Sequence, residues 1–126
     1  MLKLKNSLSI YLMKKDNDKK DLTKLNNDII KNLSSAFGGA TVVDGQGYWV
    51  DDNTLYKDDN IIVTCNYSDL SNEMKNTFLN SIKLEFEKGK QLAVSVELNG
   101  EFYILENTKD IEKLNKLLKK VLTTVK

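Results

Sequence analysis

The chain has 126 residues, a formal net charge of +1, and 29% charged against 40% hydrophobic residues, which suits one soluble globular domain long enough to bury a core. It has no His and no Pro, all 19 basic residues are Lys, and there is a single Cys. These absences exclude histidine acid–base and metal chemistry, the bidentate guanidinium fork, an internal disulfide and a cysteine zinc cage.

Met1 to Asn6 contains no uninterrupted apolar stretch, and no run approaches the ~18 residues that span a bilayer. The expected location is therefore the cytoplasm, with no membrane partner. Leu8, Ile10 and Leu12 alternate with Ser7, Ser9 and Tyr11, which predicts a first strand from Ser7 to Met13. Asp18 and Asp21 resemble an N-cap and an acidic first turn, so the first helix is expected from about Lys19 to Ala36. Leu22, Leu25, Ile29 and Leu33 form its apolar face, and Gly38-Gly39 stops it.

Ala40 to Asp44 reads as the second strand. Gly45-Gln46-Gly47 is expected to be a bulge that redirects the chain into Tyr48-Trp49-Val50. The polar, acidic stretch from Asp51 to Asn60 reads as a loop. Ile61 to Tyr67 is β-branched and apolar, and is expected as a central third strand around a buried, inert Cys65. Caps at Ser68 to Ser71 open a second helix from Asn72 to Lys88, with Met74, Phe78, Ile82 and Phe86 on one face and Gly89 at its end.

Gln91 to Leu98 and Glu101 to Glu106 are the last two strands, joined at Asn99-Gly100 by a type I′ turn. Asn107 or Thr108 caps a final helix to about Val125, with Ile111, Leu114, Leu118, Val121 and Val125 aligned. The order βαββαββα predicts a single α+β domain over residues 1–126. Its antiparallel sheet has a ferredoxin-like βαββαβ core, extended by a fifth strand and a C-terminal helix. The two-residue turn sets Val96 opposite Tyr103 and Val94 opposite Leu105. Phe102 and Ile104 then lie on the other face, which is too apolar to leave bare. The C-terminal helix is expected to cover it, with a homodimer contact as the rival.

One stretch carries a family likeness. Phe37-Gly38-Gly39-Ala40-Thr41-Val42-Val43-Asp44-Gly45-Gln46-Gly47-Tyr48-Trp49 resembles a motif in small bacterial and phage-borne domains of unknown function. Phe86 to Val94 is similar in outline to a later part of the same family. The resemblance covers residues 7 to 98 and implies a fold, but no activity.

Candidate chemistry is sparse. The glycines fit neither GxGxxG nor a Walker loop. Asp51, Asp52, Asn53, Asp58, Asp59 and Asn60 lack calcium-loop spacing, so they read as a solvated loop or an acidic docking surface. Glu85, Glu87, Glu97 and Glu101 are candidate acid–base carboxylates, though Glu97 and Glu101 flank an exposed turn. Lys109, Lys113, Lys116, Lys119 and Lys120 are interrupted by Asp110 and Glu112, so nucleic acid is not an expected partner.

With no catalytic set, no metal and no cofactor called for, the expected function is a non-catalytic protein-interaction module. It would be carried by a phage or mobile element and would inhibit a host defence system, as an anti-CRISPR does. Its surface for a host protein partner is expected at Tyr48, Trp49, Asp51, Asp52, Leu55, Tyr56, Asp58 and Asp59. A small-molecule or nucleotide-binding domain and a structural homodimer are the alternatives.

Overall fold

The computed structural model describes the backbone of residues 1–124 and the side-chain surroundings of residues 1–119. Val125 and the side chains of Lys120 and Val121, expected on the last helix, lie outside the described residues. The elements are β1 (Asn6–Met13), α1 (Thr23–Phe37), β2 (Thr41–Asp51), β3 (Thr54–Tyr67), α2 (Asn72–Glu87), β4 (Val94–Leu98), β5 (Glu101–Leu105) and α3 (Lys109–Thr124).

The strands form one antiparallel sheet in the order β2-β3-β1-β4-β5. This is the expected ferredoxin-like core with an added hairpin strand and helix. β1 sits in the middle because it is the most evenly apolar on one side. Leu8, Ile10 and Leu12 are fully buried and stand opposite Cys65, Val63 and Ile61 of β3. Ile29, Leu33 and Phe37 of α1, Phe78 and Ile82 of α2, and Leu114 and Leu118 of α3 close over the same face. Burial of these side chains, each contributing roughly 1.5–3 kcal/mol, holds the layers together.

The hairpin register is as expected, with Val96 opposite Tyr103 and Val94 opposite Leu105. Its turn has positive φ at Asn99 and Gly100, and the Asn99 Oδ1 accepts the Ser7 backbone N–H at 2.9 Å. Helix α2 begins where Ser71 accepts the Met74 N–H, and α1 ends at left-handed Gly38. Helix α1 starts later than the acidic pattern suggested. Asp16, not Asp18, organises that region, its Oδ1 accepting the N–H groups of Asp18 and Lys20, which holds residues 16–20 in a turn.

Three expectations are corrected. The C-terminal helix does not cover Phe102 and Ile104. It packs with α1 and α2 on the opposite face, because Leu114 and Leu118 join the core that β5 feeds through Leu105. Phe102 and Ile104 remain more than half exposed, and the Phe102 ring meets Tyr11 edge-on at 5.4 Å between centroids. There is also no bulge at Gly45-Gln46-Gly47, and Asp51 to Asn60 is not a loop. β2 and β3 pair without interruption from Thr41 opposite Thr64 to Asp51 opposite Thr54. The turn falls at Asp52-Asn53, both with positive φ, a type I′ geometry that Asp and Asn tolerate better than most residues.

β1 stops at Met13, opposite Asn60. Beyond that point the paired Gly45–Asp51 and Thr54–Asp59 segments run on as a two-stranded ribbon past the rest of the sheet. With neither ribbon face packed on the core, no apolar alternation marks it in the sequence. Among the described residues, no helix is long and apolar enough to cross a membrane.

Candidate cleft at the base of the ribbon

The ribbon divides the expected surface between its two faces. Because side chains directly opposite each other share a face, Trp49 and Tyr56 lie together, with Asp58 opposite Gly47 on the same side. The two rings stack at 5.4 Å between centroids and 16° between planes. Tyr48 and Leu55 belong to the other face. The Tyr48 hydroxyl donates to Gln46 Oε1 at 3.1 Å, and Leu55 is exposed opposite Val50. Asp51 and Asp52 sit at the tip.

The structure thus brings Trp49, Tyr56, Asp58 and Asp59 to one cleft of about 600 Å³ and leaves Tyr48, Asp51, Asp52 and Leu55 outside it. Phe102 and Ile104 are on β5, at the far edge of the sheet. The opposite wall of the cleft comes from the turn after β1. Met13, Lys14, Lys15, Asp16, Asn17 and Lys19 contribute, and Gln91 closes one side. The Gln91 Nε2 donates to the carbonyls of Gly89 at 2.9 Å and Lys15 at 3.3 Å, tying the two linkers together. Sequence reading missed this wall, since nothing in the sequence brings residues 13–19 and 91 against the ribbon. They meet only because β1 ends short of β3.

The charges are interleaved. Lys14 reaches Asp44 at 2.9 Å, and that hydrogen bond holds the Lys14 ammonium above its ordinary pKa. Lys57 lies 3.6 Å from Asp59. The cleft therefore presents a flat aromatic surface, carboxylates from Asp58 and Asp59, and ammonium groups from Lys15 and Lys19 within one concavity. Such a set complements a ligand with a planar ring and both kinds of charge.

Of the acid–base candidates, Glu85 is the buried one at 1% exposure, with neither carboxylate oxygen hydrogen-bonded. Burial pushes its carboxyl up to about 8. It lies on the core side of α2, near the linker that carries Gln91, whose N–H it receives through its backbone carbonyl. Cys65 is buried and its thiol is pushed up to about 11 by desolvation, as an inert core thiol should be. Among the described residues, no cluster of three or more His, Cys, Asp or Glu side chains is placed to hold a metal ion.

No protein-family model matches the chain, and no curated protein does. Solved structures that share the fold include a phage SAM lyase in complex with S-methyl-5′-thioadenosine. It superposes with a TM-score of 0.58 at 19% identity, over 81% of this chain and 89% of that one. A phage SAM lyase in the apo state gives a TM-score of 0.54 at 18% identity, over 85% of this chain and 95% of that one. At such identity the likeness is one of fold.

That likeness nonetheless overturns the expectation of a non-catalytic protein-binding inhibitor, and with it the exclusion of enzymatic activity, because this fold serves as an enzyme in the phage protein. The reasoning from a missing catalytic set fails for a physical reason. Lack of His counts against general acid–base work and activated nucleophiles. A sulfonium such as S-adenosylmethionine carries its own leaving group, a neutral thioether that needs no proton. A site that binds and orients such a substrate has no need of histidine.

Proposed function

We propose that the chain is an enzyme that cleaves S-adenosylmethionine or a closely related sulfonium nucleoside as a lyase, in the cleft between the ribbon and residues 13–19. The observation that carries this reading is the stacked Trp49–Tyr56 surface beside Asp58 in that cleft. The fold shared with a phage SAM lyase supports it. The aromatic surface receives the purine, a carboxylate accepts from ribose hydroxyls or the α-ammonium, and Lys15 or Lys19 meets the α-carboxylate.

In such a reaction the bond between sulfur and the aminobutyrate chain breaks, and its electron pair leaves with sulfur as S-methyl-5′-thioadenosine. The carbon left behind is satisfied within its own fragment, by that fragment's carboxylate or by loss of a neighbouring proton, and no water is added. Rate then comes from holding the flexible substrate in a reactive conformation and keeping water away. A cytosolic location fits this reading, since the substrate is an intracellular metabolite.

Titration calorimetry with S-adenosylmethionine and S-methyl-5′-thioadenosine tests the binding half of the proposal. Both ligands are expected to bind. Trp49→Ala is expected to weaken both by roughly 10- to 100-fold, the scale of one lost stacking partner. Binding of neither ligand by the wild-type chain refutes the proposal.

A further inference from the structure

Lys19 stands where a turn of its kind ordinarily has glycine. Its N–H donates back to the Asp16 carbonyl at 2.9 Å, and the Asp16 N–H donates to the Lys20 carbonyl at 2.9 Å. That pair of bonds closes a three-residue hairpin loop, whose last residue takes the left-handed conformation that favours glycine. Lys19 is held there at φ +64, which crowds its Cβ against its own backbone. Asp52, Asn53 and Asn99 also have positive φ, but Asp and Asn side chains tolerate it. Lys90, the other lysine with positive φ, is paired with Asp18 at 4.0 Å. The strain at Lys19 is imposed by its surroundings. Asp16 is 7% exposed, and its Oδ1 accepts the Asp18 and Lys20 N–H groups at 2.8 and 2.9 Å. Lys15 and Asp21 pair at the foot of the loop, and the Asn17 Nδ2 donates to the Lys90 carbonyl at 3.0 Å. A backbone fixed so many times over can keep a strained residue, and such residues cluster at binding sites.

A second observation concerns charge. Lys19 lines the cleft on the wall across from Trp49 and Tyr56. Two other lysines of the cleft are already committed, Lys14 to Asp44 and Lys57 to Asp59. Lys15 has Asp21 opposite it in the bridge, so an acidic side chain shares its face. Among the described residues, Lys19 makes no ion pair. The cleft therefore has an uncommitted cation at one wall and an aromatic pair at the other.

We propose that Lys19 is the specificity-determining residue of the cleft. Its ammonium binds the carboxylate of the substrate's amino-acid end while the nucleoside end lies against Trp49 and Tyr56. The strained turn holds that ammonium at the cleft wall, and Asp16 acts as its positioning residue. This deepens the proposed function and rests on it.

The test is calorimetric titration of two unreactive nucleosides into the wild type, Lys19→Gly, Lys19→Arg and Lys20→Gln, with melting curves for each. S-adenosylhomocysteine carries the amino-acid carboxylate, and S-methyl-5′-thioadenosine lacks it. Lys20 is the neighbouring lysine outside the cleft and serves as the control for charge. The wild type is expected to prefer S-adenosylhomocysteine by at least about 10-fold, the scale of one hydrogen bond to a charged group. Lys19→Gly is expected to lose that preference and to bind S-methyl-5′-thioadenosine as the wild type does. It should also melt about 2–4 °C higher, because glycine relieves the strained backbone. Lys19→Arg and Lys20→Gln are expected to keep the preference. A preference that survives in Lys19→Gly, or is absent from the wild type, would overturn the assignment while leaving the proposed function standing. Equal loss of both ligands in Lys19→Gly, or a lower melting temperature, would mark a merely structural residue and also overturn it. Failure of the wild type to bind either nucleoside would remove both.

Discussion

The carboxyl of Glu85 ties the stability of this fold to pH. It is buried to 1% exposure on α2, both oxygens lack partners, and desolvation raises it from the ordinary 4.5 to about 8. In the unfolded chain it releases its proton near 4.5, and in the folded chain near 8. Between those values the unfolded state binds fewer protons, so stability falls as pH rises and levels off above about 8. At about 1.4 kcal/mol per pH unit, the loss from pH 5 to pH 8 is on the order of 4 kcal/mol. Glu85→Gln keeps the shape and cannot ionise. Urea denaturation followed by circular dichroism at pH 5, 6.5 and 8 should show similar stabilities at pH 5 and a widening advantage for the variant towards pH 8. Parallel pH profiles for the two proteins would refute the reasoning.

Other outcomes follow from neighbouring features. A Cβ at Gly89 would overlap Glu85 Oε2 and approach the Glu85 carbonyl oxygen to 2.7 Å, so Gly89→Ala is expected to cost about 1–3 kcal/mol in the same denaturation assay. Gly100 sits at φ +86 with open space around it, and Gly100→Ala should cost about 1–2 kcal/mol through backbone strain alone. Cys65, buried with its thiol near 11, should resist iodoacetamide at pH 8 in the native protein and react promptly in denaturant. Equal rates in the two states would contradict its placement.

The core was legible because its residues follow simple periods. Leu8, Ile10 and Leu12 alternate, Ile29 and Leu33 repeat at helical spacing, and Asn99-Gly100 sets a register that pairs Val96 with Tyr103. The ribbon was not, because neither of its faces is packed on the core. Asp52-Asn53 makes the turn without glycine, and the two glycines that looked like a bulge lie in regular strand. The position of the last helix was misread because Leu114 and Leu118 could serve either sheet face, and only the packing of Leu105 decides. Of the site, the Trp49–Tyr56 pair and Asp58 and Asp59 could be named from type alone. The wall from Met13 to Lys19 is long-range, set by where β1 stops against β3. Catalysis was dismissed on missing residue types, an argument that fails when the substrate brings its own leaving group.

The most direct measurement is incubation of the purified chain with S-adenosylmethionine, with chromatographic and mass-spectrometric detection of the products. Formation of S-methyl-5′-thioadenosine matched by a four-carbon fragment without added water is expected, and Trp49→Ala should reduce it. Undiminished S-adenosylmethionine after prolonged incubation with folded protein would contradict the proposed activity.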